Sequence, residues 1–356
     1  MRKFLLAILL LVSLVALAQV DTIRQKIVAD SLVRLNYVST SKQYLTVYVY
    51  GSRNSNGVLY SGNSNLFYYP ITPVNIGIGV SHKWLGGSIS VVSLQSNKSK
   101  LIDNYNFNIN LNAYGRQIGA DFVYTVNSGY YLSNYKNFIV SDDVDKSQPF
   151  VEMRMQRFMF NFVRIFNGKK YSLSAPVTQG ETQKRSSSSF ILNAGLNLAF
   201  VKGGDSSFVP SYAKALFEGN TLLQEGAIYS LSFMPGYGVT WVIKKRFFIG
   251  LIPSAGISIQ YQHLNYQEGL EDHLRVSYKI LGRFGAGYHS RLWTIGISVV
   301  YDAEKYPLGN NTYLLNNVGK VHARIGYKFE IPRWAKKYSK KMDVYQDKLE
   351  HVLPIY

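Results

Sequence analysis

From about residue 42 onward the chain alternates apolar and polar residues with period two, not 3.6, the signature of strands with one apolar face. Val74, Ile76, Ile78 and Val80 interleave with Asn75, Gly77, Gly79 and Ser81. Tyr105, Phe107, Ile109 and Leu111 interleave with Asn104, Asn106, Asn108, Asn110 and Asn112, setting an apolar face against a ladder of carboxamides. Phe190 to Phe200, Tyr229 to Ile243, Phe247 to Tyr261, Leu274 to Tyr288, Trp293 to Tyr301 and Val321 to Phe329 repeat the pattern at every second residue. The alternation predicts strands over 42–51, 73–83, 85–94, 103–114, 116–127, 150–166, 187–202, 226–243, 246–262, 272–289, 291–303 and 318–330. Many exceed the globular mode of about five to six residues and are long enough for a tilted bilayer crossing.

The connections alternate in length. Lys83 to Gly87, Tyr114 to Arg116, Lys244 to Arg246 and Ser290-Arg291 are tight, whereas 51–72, 128–148, 203–225 and 303–317 read as long and polar. Short turns on one rim and long loops on the other are the arrangement of a transmembrane antiparallel outer-membrane β-barrel, which needs an even strand number. About twelve strands satisfy this, with fourteen as the alternative count. Parity assigns Lys170 to Val177 to a periplasmic excursion, unless another strand lies near Phe208 to Leu216. Within 150–166, Met153 and Met155 give way to Phe158, Phe160 and Phe162, a phase slip that predicts a β-bulge near Arg157. Trp84, Trp241 and Trp293 fall beside short turns and Trp334 follows the last strand, which places the indoles at the periplasmic interface. Tyr44, Tyr50, Tyr68, Tyr69, Tyr130, Tyr131, Tyr261 and Tyr306 are expected to fill the aromatic girdles.

The ends of the chain depart from the alternation. Arg2 and Lys3, the apolar run Phe4 to Val15 and Ala16-Leu17-Ala18 have the three parts of a cleavable signal peptide. The expected organisation is a signal peptide at 1–18, a periplasmic lead-in at 19–41, a barrel at 42–330 and a basic tail at 331–356. In that tail Trp334, Tyr338, Met342, Tyr345, Leu349 and Val352 recur at helical spacing among lysines, predicting a short amphipathic helix.

Composition narrows the chemistry. Of 356 residues, 47% are hydrophobic and 17% charged, and Lys+Arg outnumber Asp+Glu by 39 to 21. The absence of cysteine excludes disulfides, thiolate metal sites and cysteine nucleophiles. His82, His263, His273, His289, His322 and His351 are scattered, with no hydrolase or metal-ligand spacing. His289-Ser290 reads as a solvated turn, and Asp142, Asp143 and Asp145 lack the glycine and terminal glutamate of a calcium loop. No catalytic residue, metal or cofactor is therefore assigned. The basic residues are dispersed rather than gathered on a soluble module, which argues against nucleic acid. Outer-membrane lipid, lipopolysaccharide, small anions and the barrel-assembly machinery are the expected partners.

Function, if the lumen carries it, belongs to inward residues. Arg275, Lys279 and Arg283 share one strand face, and Lys320, His322, Arg324 and Lys328 share one face of the last strand. A basic wall concentrates anions. The competing reading is a filled lumen in which these cations pair with Asp121, Glu152 and Glu330. Asn106, Asn108 and Asn110 would supply a neutral polar wall.

Two blocks carry a family resemblance. They are Phe67 to Val80 followed by Lys83-Trp84-Leu85-Gly86, and Tyr114-Gly115-Arg116 followed by Asp121 and Tyr130-Tyr131. Similar spacing continues through Arg154, Asn167, Lys184-Arg185-Ser186 and Phe190. The chain resembles an uncharacterised family of Bacteroidota exported proteins, the domain of unknown function four-four-two-one. The resemblance implies an outer-membrane β-barrel and carries no activity or site. The resulting expectation is a small channel or binding barrel for anionic or polar solutes. The alternatives are an outer-membrane lipid-modifying enzyme and a structural barrel with a filled lumen that binds surface or periplasmic partners.

Overall fold

The alternating segments pair into one closed antiparallel wall. The computed structural model describes residues 29–341 except 31, 41–42, 72–73, 95–104, 139–149, 205–206, 218–221 and 334–335. The expected signal peptide, the three loop aspartates, Asn104, Trp334 and most of the basic tail lie outside the described residues. The wall comprises β2 (Tyr44–Ser61), β3 (Asn65–Pro70), β4 (Val74–His82), β5 (Leu85–Leu94), β6 (Tyr105–Tyr114), β7 (Ile118–Leu132), β8 (Phe150–Ile165), β10 (Ser187–Lys202), β11 (Leu223–Ile243), β12 (Phe247–Tyr266), β13 (Gly269–His289), β14 (Trp293–Gly309) and β15 (Thr312–Glu330). β15 pairs with β2 along its length and closes the barrel. Because β3 and β4 are two pieces of one crossing, the thirteen segments make twelve crossings. Both described ends reach the same rim, here the terminal rim.

Outward rows are apolar. Phe190, Leu192, Leu196, Leu198 and Phe200 on β10, and Phe247, Ile249, Leu251, Ile257, Ile259 and Tyr261 on β12, are all exposed. An exposed apolar belt around a closed antiparallel wall is the surface of a membrane-spanning barrel. Trp241 and Trp293 stand exposed on this outer face near the terminal rim, and Trp84 occupies the β4–β5 turn there. A short helical segment at 336–341 follows the last strand. It docks on the same rim, where Lys83 Nζ donates to Ser339 O at 2.7 Å.

Several expectations require correction. The expected long loops at 51–72 and 303–317 are strands: β2 runs to Ser61, and β14 and β15 meet at a two-residue turn, Asn310-Asn311, both at positive φ. That turn geometry matches the twist of a hairpin. On β14 the strand reading stopped at residue 303, because the next inward residue there is the charged Glu304. No register shift falls at Arg157; the irregularity on β8 lies between Val151 and Arg154, where its pairing with β7 shifts. β8 pairs with β10 without a shift from Arg154↔Lys202 to Ile165↔Ile191, and Met153, Met155 and Arg157 all face inward. The apparent slip arose because the lumen is apolar near Met153 and polar near Arg157. Tyr50, Tyr68, Tyr130 and Tyr306 are also inside, almost fully buried, while Tyr69, Tyr131 and Tyr261 remain on the outer face. Tyr48 and Tyr50 lie flat over Gly79 and Gly77, where any Cβ would overlap their rings. Those glycines therefore make the pocket that holds the two tyrosines inside.

Candidate ligand-binding lumen

Two connections fold into the barrel from opposite rims and leave a chamber between them. From the terminal rim, the β8–β10 connection enters as a plug containing the single-turn helix α1 (Ser174–Val177). Tyr171, Leu173 and Ala175 are buried, and Tyr171 and Leu173 pack with Tyr114, Val163, Ile165, Ile191 and Ile252. The wall beneath is paved with glycine: Gly250 and Gly285 meet Pro176, Gly238 meets the Tyr171 ring, and Gly296 meets Gln179, each too closely for a side chain. A second layer pins the plug. Strand β1 (Val38–Thr40) pairs with β9 (Glu181–Gln183), and Arg34 Nη2 lies 2.6 Å from Glu181 Oε2, both buried. Ser172 Oγ donates to the same carboxylate at 2.6 Å. The segment expected as a periplasmic excursion thus becomes the floor of the lumen.

From the far rim, the β10–β11 connection forms a cap around a short 3₁₀ helix (Ser211–Phe217). Phe208, Val209, Ala213 and Phe217 are buried against Tyr60, Tyr68, Met153 and Leu223. Tyr60 stacks on Phe208 with ring centroids 5.9 Å apart. This explains the apolar inward residues of β8: they belong to the cap's core.

Between plug and cap, one half of the chamber is neutralised. Arg157 Nη2 pairs with Asp302 Oδ2 at 2.9 Å, Lys279 Nζ with Glu304 Oε2 at 3.1 Å, and Arg283 Nη2 with Asp121 Oδ2 at 2.6 Å. Glu304 also accepts from Ser258 Oγ at 2.7 Å and Asn197 Nδ2 at 2.9 Å. Asp121 accepts from Asn161 Nδ2 at 3.3 Å and from the Tyr114 hydroxyl. Satisfying a buried ion pair in this way offsets the desolvation of its charges.

The other half is not neutralised. On β15, Lys320 Nζ donates to Asn108 Oδ1 at 2.6 Å, Arg324 Nη2 donates to Val177 O of the plug at 3.2 Å, and Lys328 Nζ donates to Ser290 O at 3.2 Å. His322 stacks on Tyr50 at 4.9 Å, and Arg324 lies over the Tyr48 ring at 5.5 Å. Among the described residues no carboxylate forms an ion pair with Lys320, Arg324 or Lys328, and Arg324 Nε has no hydrogen-bond acceptor. A cavity of about 140 Å³ is lined by Lys320, His322, Arg324, Asn54, Asn56, Asn108 and Asn110, with Asp121, Arg283 and Asp302 opposite. Fixed donors with a cationic excess on one wall have the chemistry to accept an anion.

The sequence-derived residues therefore divide. Lys279 and Arg283 are inward but paired, and Arg275 is half-buried toward the far rim. Lys320, Arg324 and Lys328 form the unpaired wall. Asn106 and Asn108 are buried inside, with Asn110 half-buried beside them. Asp121 is a lumen carboxylate as expected, whereas Glu152 and Glu330 are exposed and make no lumen pair. Their places are taken by Asp302, at the end of the expected strand 291–303, and by Glu304, in what the sequence reading left as a loop. His289 is buried against Phe248 rather than solvated. Among the described residues no His, Asp or Glu group has metal-ligand geometry.

A family model covers residues 28–329. The chain belongs to the DUF4421 family, a domain of unknown function. No curated protein matches it. Similar solved structures include the outer membrane protease OmpT from Escherichia coli, at 9% identity and a TM-score of 0.35, covering 82% of this chain and 98% of that one. The beta domain of the Bordetella autotransporter BrkA has 10% identity and a TM-score of 0.34, covering 80% and 99%. The P. putida toluene transporter TodX has 10% identity and a TM-score of 0.26, covering 81% and 90%. At this level of similarity their activities say nothing about this chain.

Proposed function

We propose that this member of DUF4421 is an outer-membrane binding barrel for a small anionic group, with its terminal rim in the periplasm and its lumen closed to free diffusion. The observation that carries the reading is the contrast between two inward rows. The cations of β13 that face the chamber meet Asp121, Asp302 and Glu304, whereas Lys320 and Arg324 on β15 meet only neutral acceptors. Burying cations without counter-charge costs several kcal/mol, a cost that a bound anion offsets. The plug and the cap favour a binding chamber over an open channel, because each fills the lumen with a packed core. The cleavable leader read in the sequence and the apolar belt support the outer-membrane assignment.

Calorimetry with inorganic phosphate tests the site directly. Binding that weakens as ionic strength rises, and that is lost in Lys320→Gln/Arg324→Gln, is the expected result; equal binding by that variant would place the anion elsewhere.

A further inference from the structure

The outer wall carries a slanted apolar groove that begins at a cationic turn. Across six strands one row of outward residues stands in register: Ile249↔Ala286, Ala286↔Ile297, Ile297↔Ala323, Ala323↔Gly51 and Gly51↔Ile76. The small members, Ala286, Ala323 and Gly51, floor a hollow of about 1000 Å³, and Phe247 and Tyr288 line its end at the terminal rim. A Cβ added at Gly51 would meet nothing within 4 Å. On the inner side, Gly285, Gly287 and Gly296 lie against Pro176 and Gln179 with no room for a side chain, so the wall behind the hollow sits close on the plug.

The row climbs as it crosses the wall. Ile249 lies two residues from the terminal-rim end of β12, whereas Gly51 lies seven from that of β2. Five strand spacings of about 4.8 Å make about 24 Å. Set at right angles to strands tilted by about 40°, that length rises about 15 Å, half of the roughly 30 Å hydrocarbon core. The groove therefore runs from one headgroup level to the middle of the bilayer, which is the course of a lipid chain.

The turn at its lower end is Lys244-Lys245-Arg246, between β11 and β12. Lys244 (φ 50°) and Lys245 (φ 61°) occupy the left-handed region, where Asn or Gly is the unstrained choice. The corresponding positions of the far-rim turn are Asn310 and Asn311. Charge stands at this turn against local preference, and strain kept in this way marks functional positions. Both lysines are exposed. Arg246 Nη1 donates to the Tyr288 hydroxyl at 3.2 Å, which fixes the guanidinium at the end of the groove. Arg291 lies in the adjacent β13–β14 turn, and neither turn contains an acidic residue. The far-rim ends of β12 and β13 instead carry Glu268, Glu271 and Asp272. Trp241 on β11 and Trp293 on β14, both exposed, mark headgroup level beside the turn.

We propose that this groove holds one anionic phospholipid of the leaflet at the terminal rim, with its phosphate on Lys244, Lys245 and Arg246 and an acyl chain along Ile249, Ala286, Ile297 and Ala323. Charge complementarity selects the occupant. An anionic headgroup gains from clustered Lys and Arg at the surface, whereas a zwitterionic one brings its own cation to them. The site lies outside the lumen, so it stands or falls separately from the anion site of β15.

The test uses full-length protein reconstituted with equal amounts of phosphatidylglycerol and phosphatidylcholine, with retained lipid counted by native mass spectrometry. Wild type is expected to retain one phosphatidylglycerol in preference to phosphatidylcholine. Lys244→Asn/Lys245→Asn suits the turn geometry, so it should fold with an undiminished unfolding midpoint and lower that retention about tenfold or more, the scale for removing two cations from a headgroup contact. Gly51→Phe fills the groove part-way and keeps the turn. It should weaken retention of long-chain phosphatidylglycerol and leave that of the dihexanoyl lipid unchanged. Equal retention of the two lipids by wild type, or equal phosphatidylglycerol retention by wild type and the Asn variant, overturns the proposal. Phosphatidylglycerol with a photoactivatable acyl chain gives an independent readout. Adducts concentrated on Ile249, Ile297 and Ile325 support the groove; adducts spread evenly around the belt, or a dimer cross-linked through these residues, refute it.

Discussion

Arg157 on β8 and Asp302 on β14 close an ion pair of 2.9 Å across the lumen, each side chain less than one-tenth exposed. The two strands are not neighbours in the wall, so the pair is a strut across the chamber. Asn197 Oδ1 accepts from Arg157 Nε at 2.8 Å, and Lys279 Nζ stands 3.9 Å from Asp302. Removing the carboxylate strands Arg157 in the lumen, while Lys279 keeps Glu304. Asp302→Ala is expected to lower unfolding stability by about 3–5 kcal/mol, read as a shift in urea midpoint for protein refolded in detergent. A loss below about 1 kcal/mol, the level of exposed pairs, would show that water reaches the strut freely.

The plug rests on glycine, which makes it removable by addition rather than deletion. A side chain at Gly285 would overlap the Pro176 carbonyl, so Gly285→Leu is expected to displace α1 from the lumen. Wild type should give negligible current in planar bilayers, and the variant anion-selective current. A silent variant would mean that the cap alone closes the barrel.

Arg283 and Arg324 are both inward arginines on the wall, yet their substitutions should separate. Arg283→Gln leaves Asp121 without its cation and is expected to cost about 3–5 kcal/mol of stability. Arg324→Gln removes an unneutralised charge, so it should leave the unfolding midpoint nearly unchanged and weaken phosphate binding about tenfold, in the range for charge-assisted hydrogen bonds. Urea titration and calorimetry on the two variants decide the matter, and identical behaviour would erase the distinction between the walls.

Glu181 gathers Arg34, Thr40 and Ser172 around one carboxylate. Glu181→Ala is expected to loosen the tie between the plug and the segment that precedes the barrel, freeing the backbone at Lys169 and Lys170 to enter trypsin. The readout is the rate of cleavage there in detergent at a temperature where the wall still resists sodium dodecyl sulfate. Unchanged cleavage would show that the β1–β9 pairing is sufficient.

The wall was legible in the alternation because lipid demands an unbroken apolar row on each strand. On β10 and β12, whose outward rows face lipid almost throughout, the strand reading met the observed element within a few residues. It failed where inward residues stopped contrasting with outward ones. Met153 and Met155 face the apolar underside of the cap, so their polarity imitates a lipid-facing phase. Glu304 lies where an inward strand row carries charge, so it resembles the start of a solvated loop. The plug has no period to detect, since Tyr171 to Gln179 are fixed by glycines on four other strands. The β15 cations were visible as a row, but their lack of counter-charge was not, because pairing depends on partners more than a hundred residues away, such as Asp121 for Arg283.

Where β5 and β6 end, β3 pairs directly with β7 through Tyr68↔Leu132, Tyr69↔Tyr131 and Pro70↔Tyr130. The wall thus narrows from twelve strands to ten. In a lattice this would be a dislocation: two rows terminate inside an otherwise continuous sheet, and the rows on either side close above them. Such a defect does not slide. The registers of β2 with β4 and of β7 with β6 pin it from below, and β3 with β7 pins it from above. The height at which the wall narrows is therefore set by strand pairing rather than by loop conformation, and lengthening or shortening β3 would move it up or down the barrel.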